Sequence, residues 1–234
     1  MNSIETPHPE EKHKSQRANW LRAAILGVDD GIVSTSSIML GLLAAQADIK
    51  IVLTTGIASL VAGAISMAAG EYVSVSSQRD AELADIDIER RALKANPKGE
   101  LIELADIYEG RGLSKTLALE VAKELHKVDA IGSHARDELG INSRMRAHPF
   151  QAAGSSASAF AIGSLVPLSV ALILGVTGSP FIVAISLLFL AVFGFIGASV
   201  GGGNRVIAAV RVLVGGGSAM AITALIGHII GVNL

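Results

Sequence analysis

The chain contains no cysteine, and aromatic residues make up only 4% of its 234 residues. The absence of cysteine excludes disulfide bonds, thiolate metal sites, iron–sulfur clusters and a cysteine nucleophile. Charged residues are also scarce, at 17% of the chain against roughly 25% in a typical soluble domain. In contrast, 50% of the residues are hydrophobic and the mean hydropathy is +0.52. This composition indicates that lipid rather than water surrounds much of the chain.

The few charges are unevenly distributed. Residues 149–234 contain only two formal charges, Arg205 and Arg211, and no acidic residue, whereas residues 80–138 contain 14 of the 21 acidic residues. An acidic polar unit therefore separates two apolar blocks. No basic stripe alternates with aromatic residues, so a nucleic-acid partner is not expected.

Five segments are long and apolar enough to cross a bilayer, which requires about 20 mostly apolar residues. We therefore predict an all-α integral membrane protein with five transmembrane helices and a helical insert between the second and third. The predicted spans are residues 21–45, 51–77, 151–176, 180–203 and 206–232. The predicted organisation is a polar N-terminal segment (1–20), transmembrane helices 1 and 2 (21–77), an acidic insert (78–149) and transmembrane helices 3 to 5 (150–234).

The insert itself is predicted to consist of helices. Its first helix continues the second span without interruption and stops at Asn96-Pro97, because proline disfavours a helical conformation in the preceding residue. Ser114 is expected to cap a later helix, and Gly140 to end the last one. The expected helices cover residues 78–95, 99–109, 114–128 and 129–139.

Lysine and arginine residues are concentrated on alternate sides of the predicted spans. They lie before the first span, at both ends of the insert and after the fourth span. The positive-inside rule then predicts that the N-terminus and the insert are cytoplasmic and that the C-terminus lies outside. The residues of this pattern are Lys12, Lys14, Arg17, Arg22, Arg79, Arg144, Arg146, Arg205 and Arg211.

An adjacent pair of acidic residues, Asp29 and Asp30, lies within the first span. If the span began after this pair, residues 31–45 would form a helix of about 22 Å against an apolar core of ~30 Å. At least one Asp is therefore expected inside the membrane, where a carboxylate costs roughly 2.5–3.5 kcal/mol and usually has a function. Asp30 is the better candidate, since helical spacing places it on one face with Ser34 and Ser37. The alternative is a helix-end pair at the lipid headgroups.

The second span contains Glu71 and, one turn before it, Met67. In an antiparallel helix pair, these residues would lie about as deep as Asp30, roughly 9 to 15 Å from the cytoplasmic surface. Carboxylates suit Mg²⁺, Ca²⁺ or Mn²⁺, and a thioether shifts the preference toward softer ions such as Fe²⁺. A carboxylate in a closed site also binds protons, so the same group can hold a metal ion and a proton in turn. Two simpler interpretations stay open, an interfacial Glu71 and a Met67 that only packs.

Acidic residues in the insert recur at helical spacing. Glu100 and Glu103 share one helix face. His134 and Glu138 share another, and Glu89 lies near the end of the first helix. Such groups can hold a cation between helices. The simpler alternative is that these side chains are only solvated.

Several stretches of the chain resemble the vacuolar iron transporter family, and together they cover nearly all of it from Trp20 onward. The Asp-Gly and Gly-Glu-Tyr-Val-Ser-Val motifs are the specific ones. The stretches are LRAAILGVDDGIVSTSSIMLGL, SLVAGAISMAAGEYVSVSSQRDAE, ELADIYEGRGL, HARDELGI and RVLVGGGSAMAIT.

The resemblance implies a dimeric five-helix membrane protein that exports Fe²⁺, and often Mn²⁺, from the cytosol in exchange for protons. The chain departs from the family at Ala92, where members often have a glutamate, and this weakens the insert as a metal cage. It also has His134 where some members carry methionine, and an imidazole still suits Fe²⁺ and Zn²⁺. The expected ion path contains Asp30, Met67 and Glu71, to which helical spacing adds Ser34, and the expected metal ligands of the insert are Glu89, Glu100, Glu103, His134 and Glu138.

The expected partners are therefore divalent metal ions, protons, the lipid bilayer and a second copy of the chain, without a prosthetic group. Two other functions stay open, a membrane-anchored metal sensor or scaffold that transports nothing and a proton-coupled carrier of another cation. An intramembrane hydrolase is disfavoured because Asp29 and Asp30 are adjacent and point ~100° apart on a helix. No enzymatic activity is expected. A bacterial inner membrane is the first choice of location, with a vacuolar membrane as the alternative.

Overall fold

A computed structural model describes residues 18–141 and 148–233 of the chain. All regular structure in these two ranges is helical, which confirms the all-α class. Most of the polar segment predicted for residues 1–20 lies outside the described residues, which begin at residue 18. Arg144 and Arg146 also lie outside them. The helices are α1 (Ala18–Ala44), α2 (Ile49–Ala95), α3 (Pro97–Gly110), α4 (Lys115–Asp137), α5 (Pro149–Leu174), α6 (Ser179–Gly201) and α7 (Arg205–Asn233), with a 3-10 turn at Gly175–Gly178.

Four helical segments in the described part of the chain are long and apolar enough to cross a membrane. The sequence predicts five spans, and the difference arises at the third segment. There, α5 and α6 are joined by the 3-10 turn, so that Pro149–Gly201 forms one apolar segment of 53 residues. The segments are Ala24–Ala44, Ile49–Ala95, Pro149–Gly201 and Arg205–Val232.

The chain divides into two compact units, Met1–Glu71 with Phe150–Leu234 and Tyr72–Pro149. We call the first the bundle and the second the insert. Helix α2 belongs to both, because its 47 residues continue from the apolar second span into the acidic sequence without a break. This confirms the prediction that the second span and the first helix of the insert form one helix.

The bundle is held together by small residues that let helix backbones approach closely. A Cβ atom on Gly31 of α1 would overlap the carbonyl oxygen of Phe160 in α5, and one on Gly163 would overlap the carbonyl oxygen of Val28. Close packing matters here because lipid provides no hydrophobic drive for helix association. Around these contacts, Ile32 of α1 is completely buried.

In the insert, α3 and α4 pack through a small apolar core of Leu104, Ala105 and Ala122. Asn96 caps α3, since its Oδ1 accepts a hydrogen bond from the Gly99 amide at 3.1 Å. The prediction that Ser114 caps α4 is wrong in part. Ser114 stands at the N-cap position, but its side chain makes no capping hydrogen bond, so the helix begins without that support.

Helix α4 is interrupted at Asp129, where the two separately predicted helices meet. Asp129 has extended backbone angles (φ −161°, ψ 90°), and its Oδ1 accepts a hydrogen bond from the Gly132 amide at 2.9 Å. The side chain thereby caps the second half of α4. The predicted boundary between residues 128 and 129 is confirmed as a kink within one helix.

The ends of α3 and α4 are joined through Asp137. Its carboxylate accepts hydrogen bonds from Tyr108 Oη at 3.0 Å, Arg111 Nη1 at 2.9 Å and Arg136 Nη2 at 2.6 Å. Burial by itself would raise the pKa of Asp137, but these hydrogen bonds outweigh burial and lower the pKa to about 2. The carboxylate is therefore ionised at neutral pH and fixes the C-terminal end of α4.

Replacing Gly31 with alanine is expected to destabilise the bundle by about 1–3 kcal/mol, because the added methyl group meets backbone that cannot move aside. The matched control is Gly154→Ala in α5, where a Cβ atom would meet nothing within 4 Å. Thermal unfolding of the purified protein in detergent measures both variants. Equal midpoints for Gly31→Ala and Gly154→Ala would contradict the close approach of α1 and α5.

Candidate functional site

Three buried side chains meet in the insert, each from a different helix. Glu89 of α2, Glu100 of α3 and His134 of α4 each offer one ligand atom, and these atoms lie within 4.8 Å of one another. His134 is completely buried, and Glu89 and Glu100 are 6% and 9% exposed. Carboxylate oxygens and an imidazole nitrogen so close together, and so far from water, can coordinate a divalent cation.

The local sequence explains why these three side chains meet. Helix α2 ends before Asn96-Pro97, and Glu100 in the first turn of α3 then lies near Glu89 of α2. Helix α4 packs against α3, and the fixed end at Asp137 holds its last turns in place. The site therefore depends on a proline-defined turn and on the packing of two short helices.

The imidazole of His134 is held by two carboxylates. Its Nδ1 lies 2.9 Å from Glu138 Oε2 and 3.0 Å from Glu89 Oε1. The hydrogen bond goes to Glu138, whereas Glu89 Oε1 is buried and accepts no hydrogen bond from the described residues. On this hydrogen-bond pattern, Nδ1 carries the ring proton and Nε2 carries the lone pair.

The charges in this cluster do not balance. Burial raises the pKa of Glu89 to about 7. The neighbouring His134 opposes this effect, and the carboxylates of Glu138 and Glu100 add to it. The pKa of Glu103 is also raised, first by burial and then by Glu138 and Glu100. A divalent cation would offset the energetic cost of burying these carboxylates and would reduce the repulsion between them.

Three of the five predicted ligands of the insert form one buried group, and the other two do not belong to it. Glu89, Glu100 and His134 form the buried group, and Glu138 touches it through the His134 ring. Glu103 lies on the exposed side of α3 and is not part of the group. Its place among the ligands stays a prediction.

His126 is a further member of the cluster that the sequence pattern does not single out, and its Nε2 lies 3.0 Å from Nε2 of His134. The two residues are eight positions apart, which on a straight helix corresponds to a rise of about 12 Å. The kink at Asp129 brings the two ring centroids to 5.1 Å instead. The signal in the sequence is a helix-breaking aspartate between two histidines.

A second candidate region lies in the bundle. Asp30 and Ser34 of α1 line an open cavity of about 570 Å³ together with small and polar residues of α2. The Ser34 hydroxyl donates a hydrogen bond to the Asp30 carbonyl oxygen at 2.6 Å. Met67 and Glu71 are half-buried and do not line this cavity, so the structure brings together only two of the four predicted path residues.

The two adjacent aspartates differ from expectation in their burial. Asp30, expected in the polar interior, is exposed at the surface of the single chain, whereas Asp29 is half-buried and its Oδ1 is enclosed without a hydrogen-bond partner in the described part of the chain. The physical reason is that the Asp30 face of α1 borders the open cavity that residues of α1 and α2 line.

Two buried hydroxyl groups beside the cavity, those of Thr35 and Ser164, have hydrogen-bond partners. Thr35 Oγ1 donates to Ser164 Oγ at 3.0 Å, and Ser164 Oγ donates to the Gly31 carbonyl oxygen at 3.3 Å. These bonds link α1 to α5 and hold the wall of the bundle beside the cavity.

Comparisons with known proteins give one consistent result. The model of the VIT family matches residues 21–228. The chain is 44% identical over 223 residues to the vacuolar iron transporter of Acanthamoeba castellanii, covering 94% of this chain and 82% of that protein. It is 39% identical over 211 residues to vacuolar iron transporter homolog 3 of Arabidopsis thaliana, covering 89% and 82%. It is 36% identical over 216 residues to homolog 5 of Oryza sativa subsp. japonica, covering 92% and 82%. These relatives are named as transporters rather than enzymes.

The raised pKa of Glu89 predicts that the stability of the chain, and any metal binding at this cluster, depend on pH. Its pKa is about 7 in the folded chain against an ordinary 4.5, so folding favours the protonated form. The metal-free protein should therefore lose stability as the pH rises from about 4.5 to about 7, and a divalent cation should restore it. We expect Co²⁺ to raise the thermal midpoint more at about pH 7.5 than at about pH 5.5.

The control for this experiment is Glu89→Gln, which removes the titrating group but keeps a side chain of similar size. This variant should reduce the difference between the two pH values. A wild-type protein in which Co²⁺ raises the midpoint equally at both pH values would contradict the role of Glu89.

Proposed function

The chain belongs to the VIT family, and from this premise we propose that it is a secondary transporter that exports Fe²⁺ from the cytosol in exchange for protons, with Mn²⁺ as a second substrate. Family membership implies metal-ion transport and a membrane location. The direction of transport, the exchange for protons and the identity of the ion belong to the proposal.

The observation that supports the proposal most is the buried group of Glu89, Glu100 and His134. Among the described residues, Glu89 Oε1 has no hydrogen-bond partner, and an unsatisfied carboxylate oxygen in a buried cluster costs free energy. A site of this kind collects a cation. In the proposal, the insert binds cytosolic metal ions and supplies them to the bundle.

The transport path in the bundle is proposed to contain Asp30, Ser34, Met67 and Glu71. Asp30 and Ser34 line the open cavity beside α2, on the surface of the single chain. A carboxylate on such a surface would face lipid at a cost of several kcal/mol. A second copy of the chain covering this face would remove that cost, so a homodimer completes the path.

Exchange follows from the chemistry of the carboxylates. A divalent ion and protons compete for the same oxygens, because each neutralises the same negative charge. Metal arrives from the cytosolic side and binds ionised carboxylates. Protons that enter from the opposite side neutralise these groups, and the metal ion leaves.

The proposed topology keeps five spans. Helices α5 and α6 have 26 and 23 residues, which correspond to about 39 Å and 35 Å of helix and exceed the ~30 Å apolar core in each case. Their 3-10 turn contains two glycines and allows the chain to reverse between them. The N-terminus and the insert are then cytoplasmic and the C-terminus is outside, in a bacterial inner membrane or, as the alternative, a vacuolar membrane.

Asp30→Asn is expected to lower Fe²⁺ uptake into proteoliposomes by about ten-fold or more, because the amide keeps the shape of the side chain but not its charge. A metal-quenched dye inside the vesicles measures uptake, and a pH-sensitive dye measures the opposite proton flow. The matched control is Asp80→Asn, which neutralises an exposed acid of the insert.

Each outcome of this assay has a definite meaning. Equal uptake by Asp30→Asn and wild type would remove Asp30 from the path. Metal binding without uptake by the wild type would indicate the sensor or scaffold. Metal uptake without proton counterflow would overturn the exchange mechanism.

A further inference from the structure

We propose that His126 is a metal ligand of the insert and that it acts with His134, so that one ion is held by the two Nε2 atoms and by the carboxylate of Glu100. This inference rests on the proposed function, in which the insert collects divalent cations. It goes further by adding a ligand and by stating the selectivity: the paired imidazoles favour Fe²⁺, Co²⁺ and Zn²⁺ over Mn²⁺ and Mg²⁺.

The distance between the two imidazoles supports shared coordination. The two Nε2 atoms are 3.0 Å apart. Metal–nitrogen bonds of about 2.0–2.1 Å in tetrahedral geometry place two ligating nitrogens roughly 3.3 Å apart. The two rings are tilted by 54° to one another rather than stacked.

The surroundings of His134 are those of a metal-ligating histidine. Its Nδ1 donates to Glu138 Oε2 and also lies against Glu89 Oε1. In metal sites, such carboxylate partners on the far nitrogen fix the tautomer and increase the basicity of the ligating nitrogen. Here they direct Nε2 of His134 toward His126.

A second and independent observation is the orphan oxygen in the same cluster. Glu89 is 6% exposed, and its Oε1 is buried without a hydrogen bond from the described residues. A cluster whose only task was to hold the helices together would be expected to satisfy this atom. The oxygen lies 3.0 Å from Nδ1 of His134, so it places a second carboxylate behind the ring whose Nε2 faces His126, and it is not itself a ligand there.

As a neutral imidazole, His126 offers one lone pair to a metal ion. Without metal, His126 Nε2–H donates to His134 Nε2, and on coordination the proton resides on Nδ1 of His126, so that no proton is gained or lost by this ring.

The selectivity follows from the donor atoms. Imidazole nitrogens suit Fe²⁺, Co²⁺ and Zn²⁺, whereas Mn²⁺ and Mg²⁺ prefer oxygen donors. Two histidines and one carboxylate also form the donor set with which proteins commonly hold Fe²⁺. The carboxylates alone would attract any divalent ion by charge, so the imidazole pair supplies the discrimination.

The deciding experiment counts imidazoles around cobalt in the full-length protein. We would load one equivalent of Co²⁺ into the Asp30→Asn chain in detergent, a background that weakens binding in the bundle, and record X-ray absorption at the cobalt edge. Two imidazoles per cobalt are expected. One imidazole or none would overturn the proposal, and this result does not depend on how any His126 variant folds.

A variant series then tests selectivity. His126→Gln should weaken Co²⁺ binding, measured by calorimetry, by about ten-fold or more and leave Mn²⁺ binding nearly unchanged. The control His148→Gln removes an exposed histidine and should change neither. An equal loss for Co²⁺ and Mn²⁺ would show that His126 only supports the fold of the site.

The binding readout also separates this inference from the proposed function. A protein that binds Co²⁺ through two imidazoles but moves no metal into vesicles would retain the His126 site and overturn transport. A protein that transports Fe²⁺ but shows one imidazole at cobalt would retain transport and overturn the His126 site.

Discussion

Buried negative charge without a fixed positive partner is the constraint on which the insert depends. Asp137, in contrast, is neutralised by the protein itself, through Arg111 and Arg136. The neighbours of Glu89 are two further carboxylates and an imidazole. Its pKa is raised because burial and these carboxylates disfavour the ionised form. A cluster of this kind is stable with a proton or with a cation, and it can exchange one for the other.

The bundle is constrained differently. Its apolar side chains are as stable in lipid as against one another, so the hydrophobic effect does not drive its helices together. Its helices associate through close backbone contacts at Gly31 and Gly163 and through the hydroxyls of Thr35 and Ser164. These contacts fix one side of α1 tightly. The neighbouring face, with Asp30 and Ser34, borders the cavity. In the proposed homodimer, a second chain would cover this open face.

Much of the fold follows from local sequence rules. Hydropathy and the absence of a breaker predict α2 through to Ala95, Asn96-Pro97 predicts its end, and Gly140 has the positive φ of 68° that favours glycine at a helix end. Ser114 shows the limit of these rules, since a suitable residue at the N-cap position does not guarantee the hydrogen bond. The number of spans is also harder to read, because a 3-10 turn interrupts the apolar sequence without ending its hydropathy.

The candidate site was less accessible from sequence, since its geometry depends on tertiary contacts. Helical spacing pairs His134 with Glu138 correctly, but it cannot show that Glu89 and Glu100 are buried beside them. It places His126 two turns away, and only the kink at Asp129 brings the rings together. Similarly, spacing favours Asp30 for the interior, whereas burial in the single chain is greater for Asp29. Side-chain direction along one helix is predictable, but the neighbour that it meets is not.

The composition of the two regions suggests how recognition and movement are divided. In the proposed path, carboxylates and a hydroxyl select mainly for charge, and Met67 is the one soft donor that would favour Fe²⁺ over Mg²⁺. Nitrogen donors in the insert offer a second place for discrimination. In the described part of the chain, His126 and His134 supply such donors, and His134 is completely buried with its far nitrogen fixed by carboxylates. In the proposed mechanism, the insert would therefore help to choose the ion that is collected, and the bundle would exchange this ion for protons.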